Sequence, residues 1–371
     1  MNGFYWIYLV MIAFLLGYEF TQSNENKRLI FYGAAGFLIL IFVLQDYSVS
    51  LDIAEYMRQW EIIPHLTFPQ MLVHKFEIGF VLLCWFLERT FESDRVLLLV
   101  MAVLIMIPFC RSFEEETEHP MVTLMAFVAL GMYLHAIIFW RQLAAMAILT
   151  VSFRYIRERK FIPFLLTVLI AMTFHKVSVV FIPLYFIYPI PISKWLLLFC
   201  AAASLILSLF GKPIIEFGIA VIYPRYLEYP RLTDGGYTLL ALFWIVALLS
   251  YWLLGDRMQE PSVRIPFLMI LVAAMIQPLC FTFFWFLRVV LFFRIALVPL
   301  TAHLYDALFL HPDNKAMELL KAHTPRLHGK ILPLYGKKWF RITMLLILFA
   351  VLFVWYDSEL EGGVYIMAPI L

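Results

Sequence analysis

Apolar runs of membrane length alternate with short polar breaks along nearly the whole chain. Candidate spans fall near 4–20, 29–45, 78–91, 96–110, 121–139, 141–156, 161–174, 177–189, 194–211, 237–254, 264–284, 286–308 and 339–356. Crossing a bilayer takes about 20 apolar residues in a helix, and several of these runs are shorter. Short runs predict pairs of half-buried helices around a cavity, where irregular backbone is tolerated. The pattern therefore predicts an all-α, polytopic integral membrane protein, with residues 1–371 forming a single transmembrane domain. No internal repeat and no low-complexity segment interrupts it.

Two of the runs carry a polar tip. Trp140-Arg141-Gln142 breaks the stretch from Met121 to Tyr155, and Phe174-His175-Lys176-Val177-Ser178 breaks the stretch from Phe161 to Tyr188. Charge at bilayer depth is costly, so it faces a partner, a cavity or a polar rim. Taken alone, each reads equally well as a bland helix-end feature, a snorkelling arginine or a structural histidine, or as a functional group. Both together, at similar places in successive hairpins, favour a functional site.

Composition agrees with a membrane protein. The chain is 64% hydrophobic and 15% charged, against about 25% charged for a soluble domain, and its mean hydropathy is +0.88. No charged stretch is long enough to fold alone as a soluble domain. Cys84, Cys110, Cys200 and Cys280 lie in or beside apolar runs, with neither metal-ligand spacing nor a disulfide framework. Phe4 to Phe20 lacks a basic leading region and a small-residue cleavage site, so it reads as a retained helix rather than a signal peptide.

Short loops rich in Lys and Arg stay in the cytoplasm. Lys27-Arg28 and the group Arg154, Arg157, Arg159 and Lys160 mark two such loops. The stretch from His311 to Arg341 holds seven Lys or Arg and two acids, which makes 311–338 a basic cytoplasmic loop. Gln45 to Phe76 and Lys212 to Gly236 are expected outside. These assignments conflict. Counting from the outside loop through 78–91, 96–110 and 121–139 puts Arg141 inside, whereas counting back from the basic loop at 154–160 puts it outside. One segment between 78 and 139 does not cross, or a boundary is misplaced.

Candidate chemistry is spread along the chain. Asp52, Glu55, Tyr56 and Gln59 share one helical face, as an interfacial helix or as the polar wall of a sugar-binding cavity. Glu77 begins a membrane segment, as a partner of the helix dipole or as a base. Arg141 offers a planar, always-charged fork suited to a diphosphate, followed by Ala144 and Ala145, which permit tight helix packing. His175 has the side chain best suited to proton transfer near neutrality, with Ser178 three residues on. Arg288 and Arg294 are six residues apart, too far round a helix to share one face. Tyr223-Pro224-Arg225-Tyr226-Leu227-Glu228-Tyr229 reads as an aromatic belt, or as a surface that stacks on sugars. No Walker loop, paired-aspartate motif, nucleophile elbow or His/Cys metal cluster is present. A nucleotide-driven machine is thereby disfavoured, and no metal, cofactor or nucleic acid is expected.

In this order the motifs resemble the EpsG family of Wzy-like polysaccharide polymerases. The matching features are Asp52 with Tyr56, Glu77-Ile78-Gly79-Phe80, Arg141-Gln142 with Ala144 and Ala145, and His175 with Ser178. Arg225-Tyr226 with Tyr229, Arg294 leading to Pro299, and a closing segment from Tyr365 to Pro369 complete the series. Two features depart from the family: Phe76 stands where Tyr often precedes the Glu, and the basic stretch is long.

The resemblance implies a metal-independent membrane glycosyltransferase with a GT-C-like helical bundle around an outward-facing cavity. Its substrate would be an oligosaccharide repeat unit on undecaprenyl diphosphate, at the outer face of the bacterial cytoplasmic (inner) membrane, with a chain-length regulator as a further partner. Its product would be an O-antigen, a capsule or an exopolysaccharide. Arg141 and one of Arg288 or Arg294 would stabilise the leaving diphosphate, and His175 or Glu77 would take the acceptor proton. Asp52, Tyr56, Gln142, Ser178, Arg225, Tyr226 and Tyr229 would contact substrate. Three other readings stand beside it: a lipid-linked glycan transporter, which should show repeat symmetry, a glycan ligase, and a membrane acyltransferase.

Overall fold

The computed structural model describes residues 5–361 apart from 48–49, 223–235, 282, 284–285 and 336. Among them every regular element is helical, and six helices are long and apolar enough to cross a membrane. The chain is thus an all-α polytopic membrane protein. Its described residues divide into two compact units, the first running up to Tyr185 and the second beginning at Phe186.

The first unit contains α1 (Tyr5–Phe20), α2 (Asn24–Leu44), α3 (Leu51–Ile62), α4 (Phe68–Leu72), α5 (Ile78–Phe91), α6 (Asp94–Glu116), α7 (Pro120–Ala129), α8 (Met132–Ile138), α9 (Trp140–Thr150), α10 (Ser152–Arg157) and α11 (Phe161–Met172). A tight 3-10 turn, Lys176–Phe181, then leads into α12 (Ile182–Ile187), at whose centre the unit ends. Helix α9 is central. Every residue from Trp140 to Ala147 is buried, and the helix packs on α6 and α11. A helix that is buried all round belongs to a core, so Arg141 and Gln142 are interior residues.

Side-chain ties fix the direction of the helices. Tyr32 donates to Glu114, and Arg28 Nε lies 3.5 Å from Glu114 Oε1. Arg157 pairs with the buried Glu116 at 2.8 Å. The start of α2 and the ends of α6 and α10 therefore meet at one end of the unit, the end rich in Lys and Arg. At the other end, Arg95 Nη1 donates to the carbonyls of Val43 (2.8 Å) and Gln45 (3.2 Å), and Tyr47 donates to Asp94 at 2.5 Å. Helices α2 and α6 are thus antiparallel, and residues 45–94 leave and return at the same end.

This geometry corrects the span expected at 78–91. Helix α5 has 14 residues, about 21 Å at 1.5 Å per residue, and Arg89 at its end donates to the Pro64 carbonyl at 3.0 Å. Both ends stay on the side of the 45–77 segment. With α5 removed from the count the conflict disappears, because α6 descends, α7 and α8 return, and α9 with α10 descends again. The return is bent by 62° between α7 and α8, at Gly131, whose φ of 74° lies in the left-handed region that glycine adopts without strain. Trp140 packs on Phe42 near the end of α2, with ring centres 5.7 Å apart. Arg141 therefore sits at the end opposite the basic loops.

The next hairpin is tied at its base. Tyr185 donates to the Arg159 carbonyl at 2.7 Å, Arg159 donates to the Tyr185 carbonyl at 2.5 Å, and the guanidinium lies 3.9 Å from the ring centre. From that base α11 rises 12 residues, about 18 Å, which places His175 at the tip of the hairpin, beside Glu77. The expected spans at 161–174 and 177–189 are the arms of this re-entrant hairpin.

The second unit comprises α13 (Lys194–Ile222), α14 (Tyr237–Leu253), α15 (Pro261–Ile276), α16 (Leu287–Arg294), α17 (Leu297–Tyr305), α18 (Lys315–His323), α19 (Pro325–Ile331) and α20 (Lys338–Glu361). It is built around α15, which packs on α13, α14, α16 and α17. Arg264 of α15 clamps the carbonyls of Tyr188 (2.9 Å) and Ile190 (2.7 Å). The expected span at 286–308 is interrupted at Ile295 and Ala296, because Pro299 has no N–H to donate to Ile295 and its ring crowds that carbonyl. The stretch 311–338, expected as a basic loop between membrane segments, carries the short helices α18 and α19.

Candidate functional site

Four consecutive residues, His74 to Glu77, gather the polar chemistry of the first unit. They lie between the short helix α4 and α5. Glu77 is the residue before α5, in extended conformation (φ −67°, ψ 145°), and its side chain does not cap that helix. It reaches instead to the two polar tips recognised in the sequence. Arg141 Nη1 donates to Glu77 Oε2, and the backbone N–H of Lys176 donates to Oε1 at 3.1 Å. His175 Nδ1 lies 3.7 Å from the same oxygen.

Side-chain exposure is 9% for Arg141, 13% for Glu77 and 8% for His175. An ion pair this dry depends on geometry, since neither charge has water to fall back on. A second tie brings α5 to the hairpin tip: Gly79 N–H donates to the Thr173 carbonyl at 2.8 Å. A Cβ on Gly79 would collide with Thr173 Oγ1 and stand 2.7 Å from its carbonyl oxygen, so this approach requires glycine.

Aromatic rings wall the arginine. Its guanidinium lies 4.1 Å from the Phe76 ring centre and 5.7 Å from that of Tyr56. Tyr56 stacks on Trp140 at 4.8 Å and 27°. The fork is thereby held flat, with its charge aimed along one direction. The Nε of Arg141 is buried with no hydrogen-bond acceptor among the described residues.

The α3 face adjoins this centre. Asp52, Tyr56 and Gln59 are buried on it, and Ser50 caps the helix through the Ile53 N–H at 3.2 Å. Glu55 accepts from Arg58, from Gln59 Nε2 at 2.9 Å and from Lys75. Its carboxyl is held down at about 2 by the Arg58 hydrogen bonds first and by Lys75 after them. His74 Nε2 meets Gln59 Oε1 at 2.9 Å, and its Nδ1 accepts the Phe76 N–H at 3.0 Å. Burial lowers the His74 pKa, reinforced by the positive charges of Lys75 and Arg141.

Of the candidates drawn from sequence, the structure brings Glu77, Arg141, His175 and Tyr56 together. Gln142 is buried beside Arg141 in the first turn of α9. The Ser178 hydroxyl donates to the His175 carbonyl at 2.7 Å and closes the 3-10 turn. Arg288 and Arg294 belong to the second unit, at the two ends of α16. Arg294 is buried, 5.8 Å from the Trp355 ring centre, and Arg288 is half-buried. Arg225, Tyr226, Tyr229 and the Tyr365–Pro369 segment lie outside the described residues. His74 and Gln59 escaped notice as a pair because they are 15 positions apart in polar surroundings, with no periodicity to join them.

Fold and site together define a polytopic helical membrane protein with a buried Arg–Glu–His cluster at broken helix tips. The EpsG family model matches residues 28–317. That stretch is well over half of the chain and contains every residue of the cluster, so the chain belongs to the EpsG family. Neither a curated protein nor a solved structure gives a significant match. Family membership supports a polymerase-type role in polysaccharide synthesis for this membrane protein.

Proposed function

We propose that the chain joins oligosaccharide repeat units carried on undecaprenyl diphosphate, and that residues 77, 141 and 175 form its reaction centre. The end rich in Lys and Arg faces the cytoplasm, so the Arg141 end opens to the outer side of the cytoplasmic membrane. A hydroxyl oxygen of the incoming lipid-linked unit attacks the anomeric carbon of the growing chain. The bond from that carbon to the lipid diphosphate breaks, and the diphosphate leaves with the electron pair. Arg141 stabilises the charge developing on the leaving diphosphate. His175 takes the hydroxyl proton. Glu77 orients both, since its two oxygens already hold Arg141 and the N–H of Lys176. Fixed arginine charge supplies what a metal supplies in other transferases, so no step requires one.

The observation that carries this reading is the burial of Arg141 at a helix start, oriented by Glu77, with His175 beside the same carboxylate. The experiment is reconstitution of the purified protein with a lipid-linked repeat unit. The reading expects glycans several repeats long and release of lipid diphosphate. Release of diphosphate with only a single transfer, to a different acceptor, would instead identify a ligase.

A further inference from the structure

The hydrogen-bond roles around His74 follow from one carboxylate. Glu55 accepts only, so the Gln59 amide turns its NH2 towards Glu55 (2.9 Å) and its Oε1 towards His74 (2.9 Å). His74 Nε2 therefore carries the hydrogen, and Nδ1 keeps the lone pair that accepts the Phe76 N–H at 3.0 Å. One neutral tautomer satisfies every partner.

We propose that His74 is a positioning residue for Arg141, a role that rests on the reaction centre argued above. Its neutral ring holds residues 74–77 in the shape that lays Phe76 under the guanidinium and turns the Glu77 carboxylate to it. Neither His74 nor Gln59 touches the reacting atoms. The ring acts through the residues that follow it.

A proton on Nδ1 removes the acceptor for the Phe76 N–H, so the device works only while the ring is neutral. The charged groups facing it are Lys75 on its own segment, Arg141 on α9, and Glu55 on α3, with Arg58 engaged by Glu55. Two cations oppose protonation and one carboxylate favours it. Glu55 stays ionised across the range in which histidine titrates, because its carboxyl lies at about 2. Loss of donor affinity in mild acid is then assigned to His74 rather than to Glu55.

The test compares His74→Ala with His74→Asn in the reconstituted protein. Asn keeps an acceptor that can reach the N–H two residues on, but it does not titrate. His74→Ala should raise KM for the lipid-linked donor about tenfold, the worth of one hydrogen bond in fixed surroundings. It should also speed hydrogen–deuterium exchange over residues 73–80. His74→Asn should recover most of both losses and flatten the rise in KM that the wild type shows as the pH falls below the ordinary histidine range, where the lowered pKa of His74 puts its titration. The proposal is overturned if Asn rescues no better than Ala, or if its acid limb matches the wild type. The parent reading is tested separately by Arg141→Ala: if that variant keeps wild-type turnover, the reaction centre is wrong whatever His74 does. If Arg141→Ala is inactive and His74→Ala is silent, this proposal alone falls.

Discussion

Arg141 and Glu77 are 64 positions apart in sequence and form one buried ion pair. The carboxylate also holds the N–H of Lys176, so a single side chain joins the start of α5, the start of α9 and the tip of the α11 hairpin. Removing one partner of a buried pair leaves the other charge uncompensated, at roughly 3–5 kcal/mol. Glu77→Ala should therefore lose both stability and turnover. Glu77→Gln keeps an acceptor for Lys176 and should fall between Ala and wild type in a thermal-unfolding series run beside the polymerisation assay.

The contact of Gly79 with Thr173 predicts a narrow steric tolerance. Gly79→Ala places a methyl 2.7 Å from the Thr173 carbonyl oxygen and against its hydroxyl, and overpacking of this kind costs about 1–3 kcal/mol. Adding Thr173→Ala should recover part of the loss, since it removes Oγ1 and leaves the carbonyl. Full recovery of melting temperature in the double variant would mean that the backbone approach is looser than described.

Helix α5 decides the topology. Ser93→Cys should react with an impermeant thiol reagent from outside intact cells, because residues 45–94 begin and end on one side. Protection of the introduced thiol from outside, with labelling only after permeabilisation, would restore α5 as a crossing span.

The amphipathic stretch 311–338 is expected on the cytoplasmic leaflet, where each Lys or Arg near an anionic surface contributes about 1 kcal/mol. Leu319, Leu327 and Leu332 are exposed along it. Gly329→Cys is a gentle probe, since an added Cβ meets nothing within 4 Å. It should be labelled only after permeabilisation, and labelling in intact cells would reverse the assignment.

Much of this site is legible in the sequence. Arg141 and His175 announced themselves as charge and imidazole inside apolar runs, and Glu77 as an acid at the head of one. Their meeting was not legible, because nothing local encodes a contact between residue 77 and residues 141 and 176. The role of α5 was hidden for a related reason. Its sequence, IGFVLLCWFLERTF, is as apolar as a span, and only long-range ties such as Arg95 with the Val43 carbonyl and Tyr32 with Glu114 reveal that it does not cross. The break at Ile295 was readable in principle from Pro299, four residues on. The bend at Gly131 was not, since a lone glycine in an apolar run is common.

The central claim is that Arg141 and His175 act on the leaving diphosphate and the acceptor hydroxyl. The direct measurement is the initial rate of polymer formation from purified lipid-linked repeat units, at matched levels of inserted protein, for Arg141→Ala, Arg141→Lys and His175→Ala. Loss of a fixed electrostatic contact to the transition state is worth roughly a hundred- to a thousandfold in rate, so both alanine variants should fall by that order. Arg141→Lys keeps the charge but loses the planar fork, and should stay severely impaired. Near-wild-type polymerisation by Arg141→Ala and His175→Ala would contradict the account and leave both residues as structural anchors of their helix tips.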